Sequence, residues 1–77
     1  MSYDNLVRMA NQIGLFFESM PDRAEALEGV ANHLKKFWAP SMRRDFLAHV
    51  DKGDHGLSEI VLLAVTQHRA MLEPVAA

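Results

Sequence analysis

The sequence contains no cysteine. This absence excludes a disulfide scaffold, a cysteine-based zinc site, an iron–sulfur cluster held by this chain and a thiol nucleophile. A cationic excess is also missing, because eight Lys and Arg residues face ten Asp and Glu residues and the net charge is -2. A general DNA- or RNA-binding protein needs a clear surplus of cations on one face, and this composition argues against that class.

The chain has no apolar run near the roughly 20 residues that a membrane-spanning helix needs. Its first residues, MSYDN at 1–5, are neither basic nor followed by the apolar core of a signal peptide. We therefore expect a soluble, cytoplasmic protein.

Catalytic and metal-binding patterns are equally scarce. No glycine-rich phosphate cradle and no acid pair at a recognisable spacing occurs, and the serines mostly stand where helices are expected to begin or end. The histidines never recur at the i, i+3 or i+4 spacing that places two ligands on one helix face. They are His33, His49, His55 and His68. We predict that the chain is not an enzyme and holds no metal.

What the sequence does contain is helical periodicity. With 77 residues and 49% apolar residues, the chain is long enough for one small domain, 1–77, and apolar residues recur at i, i+3, i+4 and i+7. The fold class predicted is all-α, a small bundle of three to four helices. The helices are expected near 3–18, 22–38, 41–50 and 58–72, with a flexible tail at 73–77.

Local signals refine this prediction. Asp22 followed by Glu25 indicates a capped start for the second helix, and Ser41 and Ser58 are expected to cap the third and fourth. Gly14 either distorts the first helix or lets another helix approach it closely. Because so short a chain buries only about 60% of its unfolded surface, we expect a partner to cover part of its apolar residues.

The segment 32–44 holds half of the basic residues and the only Trp. Phe37 is expected in the core because it lies on the predicted apolar stripe. Trp38, Arg43 and Arg44 fit two interpretations, a core ring with solvated cations or anchors of a protein interface. The break at Pro40 also permits a helix-turn-helix that grips nucleic acid, the least favoured of the three.

The first helix offers a second candidate surface. Met9, Phe16, Phe17 and Met20 supply more apolar bulk than one seam of a small bundle needs. Burial on two sides is the favoured interpretation, and a face that docks a partner is the other.

Two segments together carry a family resemblance. LVRMANQI at 6–13 with Phe16-Phe17, and ANHLKKFWAP at 31–40 followed by Met42-Arg43, resemble the small delta subunit of cytosolic NAD-dependent formate dehydrogenases. The resemblance covers most of the chain, approximately 6–68, and the loop and last helix match less distinctively.

The resemblance implies an accessory role in a large molybdenum or tungsten complex. There the alpha subunit carries a molybdopterin cofactor and iron–sulfur clusters and oxidises formate, and the beta and gamma subunits pass electrons through further clusters and FMN to NAD. The delta subunit is implied to support assembly or stability, with the alpha subunit as its expected partner, beta and gamma in the same complex, and no cofactor, nucleic acid or membrane bound by this chain.

The candidate interface residues combine the positions carried by the resemblance with neighbouring cations. They are Met9, Asn11, Phe16, Phe17, His33, Lys35, Phe37, Trp38, Pro40, Met42, Arg43 and Arg44. Two other functions stay open from the residues themselves: a small helix-turn-helix nucleic-acid module, and a helical bundle that associates with its own copy.

Overall fold

Helices account for the whole regular structure of the part of the chain described by the computed structural model, residues 3–53 and 56–74. They are α1 (Tyr3–Phe17), α2 (Arg23–Phe37), α3 (Pro40–Asp51), α4 (Glu59–Gln67) and α5 (Arg69–Leu72). The predicted all-α class is confirmed. Helix α2 contacts α1, α4 and α5, and α3 packs mainly against α1, so α1 and α2 together form the centre of the bundle.

The start of α2 follows the predicted capping pattern. Asp22 has extended backbone angles, and its carboxylate accepts a hydrogen bond of 3.1 Å from the Glu25 amide. Glu25 in the first turn and Lys35 and Lys36 in the last turn complement the helix dipole. Sequence signals and structure therefore agree at both ends of this helix.

The start of α3 differs from the prediction. Ala39, not Ser41, is the N-cap, and no side chain caps the helix. The reason is Pro40, whose fixed φ and missing N–H suit the first helical position, so the helix begins one residue before the expected cap.

The last predicted helix is divided in two. His68 leaves helical geometry with φ -117° and ψ 30°, and it separates α4 from α5. Two residues earlier, the Thr66 hydroxyl donates a 2.8 Å hydrogen bond to the Leu62 carbonyl, a bond that tends to bend helices. Ser58 is the N-cap of α4 as expected, but its side chain makes no capping bond. Of the predicted tail, residues 75–77 lie outside the described residues.

The core forms where α1, α2, α3, α4 and α5 meet. Its largest fully buried side chains are Phe46, Leu6, Leu34, Ile60, Leu72, Val30, Val61 and Val65. Gly14 lies where α1 crosses α4, and a Cβ at this position would stand 2.6 Å from Val61 Cγ2. The close-approach interpretation of Gly14 is confirmed, because a larger residue could not fit here without displacing core atoms.

Candidate protein-protein interface

Four rings form a ladder across α1 and α2, which we call the aromatic ladder: Phe16, Phe17, His33 and Phe37. Phe16 and Phe17 meet edge to face at 5.1 Å, Phe17 and His33 at 6.4 Å, and His33 and Phe37 lie tilted at 4.7 Å. Phe16 and Phe37, at its ends, are 72% and 71% exposed. Large apolar side chains this exposed are uncommon on a small monomer and typically mark an interaction surface.

A glycine positions the middle of the ladder. A Cβ on Gly29 would lie 2.6 Å from Phe17 Cε1, so the missing side chain lets the Phe17 ring lie directly on α2. Phe17 thereby covers part of the core, against which it packs, and supports the exposed Phe16 ring beside it. The exposed Phe16 ring is thus supported by the partly buried Phe17 ring.

The ladder lines a shallow groove between the two helices, which we call the α1–α2 groove. Its Phe37 end encloses ≈ 490 Å³ and its Phe16 end ≈ 320 Å³, and Gln12, Ile13 and His33 line both parts. The groove is lined by Arg8, Met9, Gln12, Ile13, Phe16, Phe17, His33, Phe37, Trp38 and Met42. The structure therefore brings together predicted interface residues from α1, α2 and α3 along one surface.

A second concavity lies on the other side of α1, and we call it the polar cleft. It encloses ≈ 660 Å³ and is lined by Asp4, Val7, Arg8, Asn11, Gln12, Leu15, His49, Gly56 and Ser58. Asn11 has an internal role here: its amide donates to the Gly56 carbonyl at 3.1 Å and accepts from the Ser58 amide at 2.9 Å. These bonds join α1 to the start of α4.

The two rings at the end of α2 have different surroundings. The prediction that Phe37 lies in the core is wrong, because its side chain is exposed. Trp38, for which the sequence leaves core and interface open, is 5% exposed and meets Phe46 edge to face at 5.2 Å. Trp38 continues the row of the buried Ala31 and Leu34 at helical spacing, and its N–H still bonds to the Leu34 carbonyl, whereas Phe37 follows the half-buried His33 by four residues.

The three cationic residues among the interface candidates differ in their exposure and contacts. Arg43 is partly buried, and its guanidinium donates a 3.2 Å hydrogen bond to the Leu72 carbonyl, so it holds α5 against α3. Lys35 and Arg44 are exposed, as is Pro40 at the start of α3. Met42 packs partly against the core and also lines the Phe37 end of the groove.

Sequence reasoning missed Leu15, which is 65% exposed and lines the polar cleft. The signal was present in the run IGLFF at 13–17, because five consecutive residues encircle a helix and cannot all face one core.

The part of the chain that the structure describes has no cluster of side chains that could bind a metal ion. No group of three or more His, Asp and Glu side chains comes together there, and His55 lies outside the described residues. The sequence also lacks the thiolates that iron–sulfur clusters require. Within the same described ranges, no helix combines the length and the apolarity needed to cross a bilayer.

Comparison with known proteins places these observations in a family. The sequence profile of FdsD, described as the NADH-dependent formate dehydrogenase delta subunit, matches residues 5–65. No curated protein and no solved structure matches the chain. The matched range includes all of α2 and α3 and α1 from residue 5 onward, and with them every residue that lines the α1–α2 groove. The chain belongs to the delta-subunit family of NADH-dependent formate dehydrogenases.

Proposed function

We propose that this protein is a non-catalytic accessory subunit of an NADH-dependent formate dehydrogenase, supporting assembly or stability of the large subunit that bears the cofactors. The observation that carries the proposal is the exposed aromatic ladder on a member of the delta-subunit family. Water-exposed phenylalanine rings do little for the stability of the isolated chain, whereas burial against another subunit removes their apolar surface from water.

The chemistry of the chain supports an accessory role in place of a catalytic one. Cofactors for formate oxidation and electron transfer, a molybdopterin, iron–sulfur clusters and FMN, are assigned in this proposal to the partner subunits. The absence of cysteine supports that division for the clusters. The complex would act in the cytoplasm, with no nucleic acid or membrane as a partner.

The α1–α2 groove is the proposed docking surface, with the alpha subunit as its partner. Its exposed residues include Phe16, Phe37 and Met9, aromatic and Met side chains of the types enriched at interfaces. Trp38 is assigned an internal role, since its ring packs on Phe46 beneath the groove. Asn11 and Arg43 likewise have internal hydrogen bonds that shape the domain on which the groove is carried.

Co-expression of the complex with and without this chain tests the proposal. We expect that omitting the chain lowers the yield of assembled large subunit, its cofactor content, and formate-dependent NAD reduction per large subunit. Equal yield, cofactor content and activity without the chain would contradict the proposed role.

A pair of variants connects the role to the groove. Phe37→Ser should lower recovery of the chain with the large subunit, because it removes an exposed ring that the domain itself does not bury. Leu15→Ser is the matched control, since Leu15 is similarly exposed but lines the polar cleft. Equal losses of recovery for both variants would contradict the assignment of the docking surface to the α1–α2 groove.

A further inference from the structure

We propose that the α1–α2 groove binds one amphipathic helix of a partner subunit, which places its apolar face against the aromatic ladder and a carboxylate against Arg8 and Lys36. This inference rests on the proposed function, and it adds the form and charge of the segment that docks. Four features of the groove support it: the arrangement of its walls, its length, the composition of its surface and its charge.

The walls of the groove are two antiparallel helices. Phe17 near the end of α1 lies against Gly29 and His33, whereas Met9, nearer its start, lines the groove with Phe37 at the end of α2. A groove between two antiparallel helices runs along their axes. A third helix packs naturally into such a channel, because the ridges of side chains on one helix fit the grooves of another.

The spacing of the wall residues matches a helical occupant. On α1, Met9, Ile13 and Phe16 stand at i, i+4 and i+7, and on α2, His33 and Phe37 stand at i and i+4. The rise from Met9 to Phe16 is about 10 Å, or two helical turns. A partner helix of two to three turns would therefore contact the groove along its length, with anchors at i, i+3 or i+4, and i+7.

The composition of the wall explains why an amphipathic segment fits better than a polar one. Helix α1 has two apolar sides, an inner one that includes Leu6 and Ala10, both buried, and an outer one with Met9 and Phe16, both exposed. Ile13 lies between them and packs partly against the core. The outer side has the composition of a helix-packing surface, but no helix covers it among residues 3–53 and 56–74.

Charge sets the nature and direction of the occupant. Arg8 lines the Phe37 end, and no carboxylate lines the groove among the described residues. Among the residues that the structure describes, the Arg8 guanidinium donates one hydrogen bond, 2.8 Å to Asn5 Oδ1, and a guanidinium has five N–H donors. Lys36, also exposed, follows His33 by three residues and so neighbours it on the surface of α2. A carboxylate on the partner helix would complement both cations at this end.

The same helix provides a matched pair for testing charge. Lys35 and Lys36 are both exposed and both lie in the last turn of α2, so they interact similarly with the helix dipole. Helical geometry rotates adjacent residues by about 100°, which places Lys35 on the flank of α2 away from the groove. Lys36→Glu combined with Arg8→Glu should weaken binding about tenfold or more at low salt, and less at high salt, where charges are screened. Lys35→Glu should leave binding within about twofold.

Photo-crosslinking in the assembled complex tests the form of the occupant. A photoreactive phenylalanine analogue is introduced at Phe16 or at Phe37 of the full chain, with Leu15 as the control position, and products are mapped by mass spectrometry. We expect both groove positions to react with one segment of one partner subunit, at residues separated by helical intervals.

Several outcomes of the crosslinking would contradict the helix inference, and one would also contradict the proposed function. Products in two distant segments, in a second copy of this chain, at consecutive residues of an extended segment, or only from Leu15 would overturn the helix inference while leaving an accessory role intact. A chain that is not recovered with the complex at all would overturn both the inference and the proposed function. A larger loss of binding for Lys36→Glu with Arg8→Glu than for Lys35→Glu would support the charge assignment, and an equal or larger loss for Lys35→Glu would overturn it.

Discussion

Two aromatic groups of this protein meet at the end of α2 and differ in how far their rings are exposed to water. Trp38 and Phe46 form an edge-to-face pair at 5.2 Å, and they are 5% and 1% exposed. The aromatic ladder beside them begins and ends with rings that are 72% and 71% exposed. The adjacent residues Phe37 and Trp38 thus lie in different places, Phe37 on the surface of the domain and Trp38 in its core.

The two groups differ in how much they stabilise the isolated chain. The buried pair removes apolar surface from water when the chain folds, so its contribution is internal to the domain. The exposed rings at the ends of the ladder keep much of their surface in water, so most of their apolar free energy can be gained only on binding. Substitutions in the two groups should therefore change different measurements, and the variants below are ordered by the size of the expected effect.

The largest effect is expected from Trp38→Ala. Truncating a buried Trp typically costs about 3–5 kcal/mol, which equals the whole stability that a core of this size usually supplies. We expect the variant to be largely unfolded, as measured by circular dichroism during urea denaturation. Phe37→Ala is the matched comparison, and it should lower the free energy of unfolding by no more than about 1 kcal/mol, because 71% of its surface is already exposed to water and its ring contact is with His33. Similar urea midpoints for the two variants would contradict the conclusion that Trp38 stabilises the fold much more than Phe37 does.

The helices can be predicted well from the sequence, because the apolar periodicity and the local signals at their ends agree. The apolar stripe of α2, the carboxylate of Asp22 at its start and the lysines in its last turn all indicate the same element. The predicted break before Pro40 is also present, though α3 begins at the proline itself. Local chemistry determines such features, so a single sequence is enough to predict them.

The different burial of Phe37 and Trp38 could not be predicted in the same way. Residues Leu34, Phe37 and Trp38 stand at i, i+3 and i+4, and both rings fit the apolar stripe of α2. The ring that is buried is the one that meets Phe46 of α3, and the position of Phe46 beside the end of α2 is a tertiary property. The candidate site could thus be predicted as a segment but not ring by ring.

The next largest effect is expected from Gly14→Ala. The added methyl would meet the stiff, buried Val61 side chain, and overpacking of this kind costs about 1–3 kcal/mol, reduced by about 1 kcal/mol of helix propensity. Gly29→Ala is the comparison, since its methyl would meet the side of the Phe17 ring, which is only partly buried and so is less confined than Val61. We expect thermal unfolding to show a larger loss for Gly14→Ala than for Gly29→Ala. The reverse order would mean that Phe17 is held more rigidly than the core.

A smaller effect is expected from Asn11→Ala. The substitution removes a bond to the Gly56 carbonyl and a bond to the Ser58 amide, and lost hydrogen bonds of this kind destabilise by about 1–2 kcal/mol in total. Urea denaturation should show the loss, while Gln12→Ala, an exposed neighbour, should stay within about 0.5 kcal/mol. Wild-type stability in Asn11→Ala combined with weaker recovery of the large subunit would instead assign Asn11 to the interface.

The smallest effect is expected at the Asp51–Arg69 pair, which joins the end of α3 to α5. Arg69 donates hydrogen bonds of 2.7 and 2.8 Å to the Asp51 carboxylate, and these bonds hold the pKa of Asp51 below its usual value of 3.8. Because the folded-state pKa is lowered, the pair stabilises the fold above the unfolded pKa, and this stabilisation is lost as the pH falls below about 4. Asp51→Asn should therefore have a slightly lower unfolding temperature than the wild type at pH 7, with the difference closing as the pH approaches 3. Because the pair lies at the surface, with its side chains 39% and 56% exposed, added salt at pH 7 should also narrow the difference. A gap that is unchanged by acid and by salt would show that Asp51 acts through its shape or local backbone bonds, not through its charge.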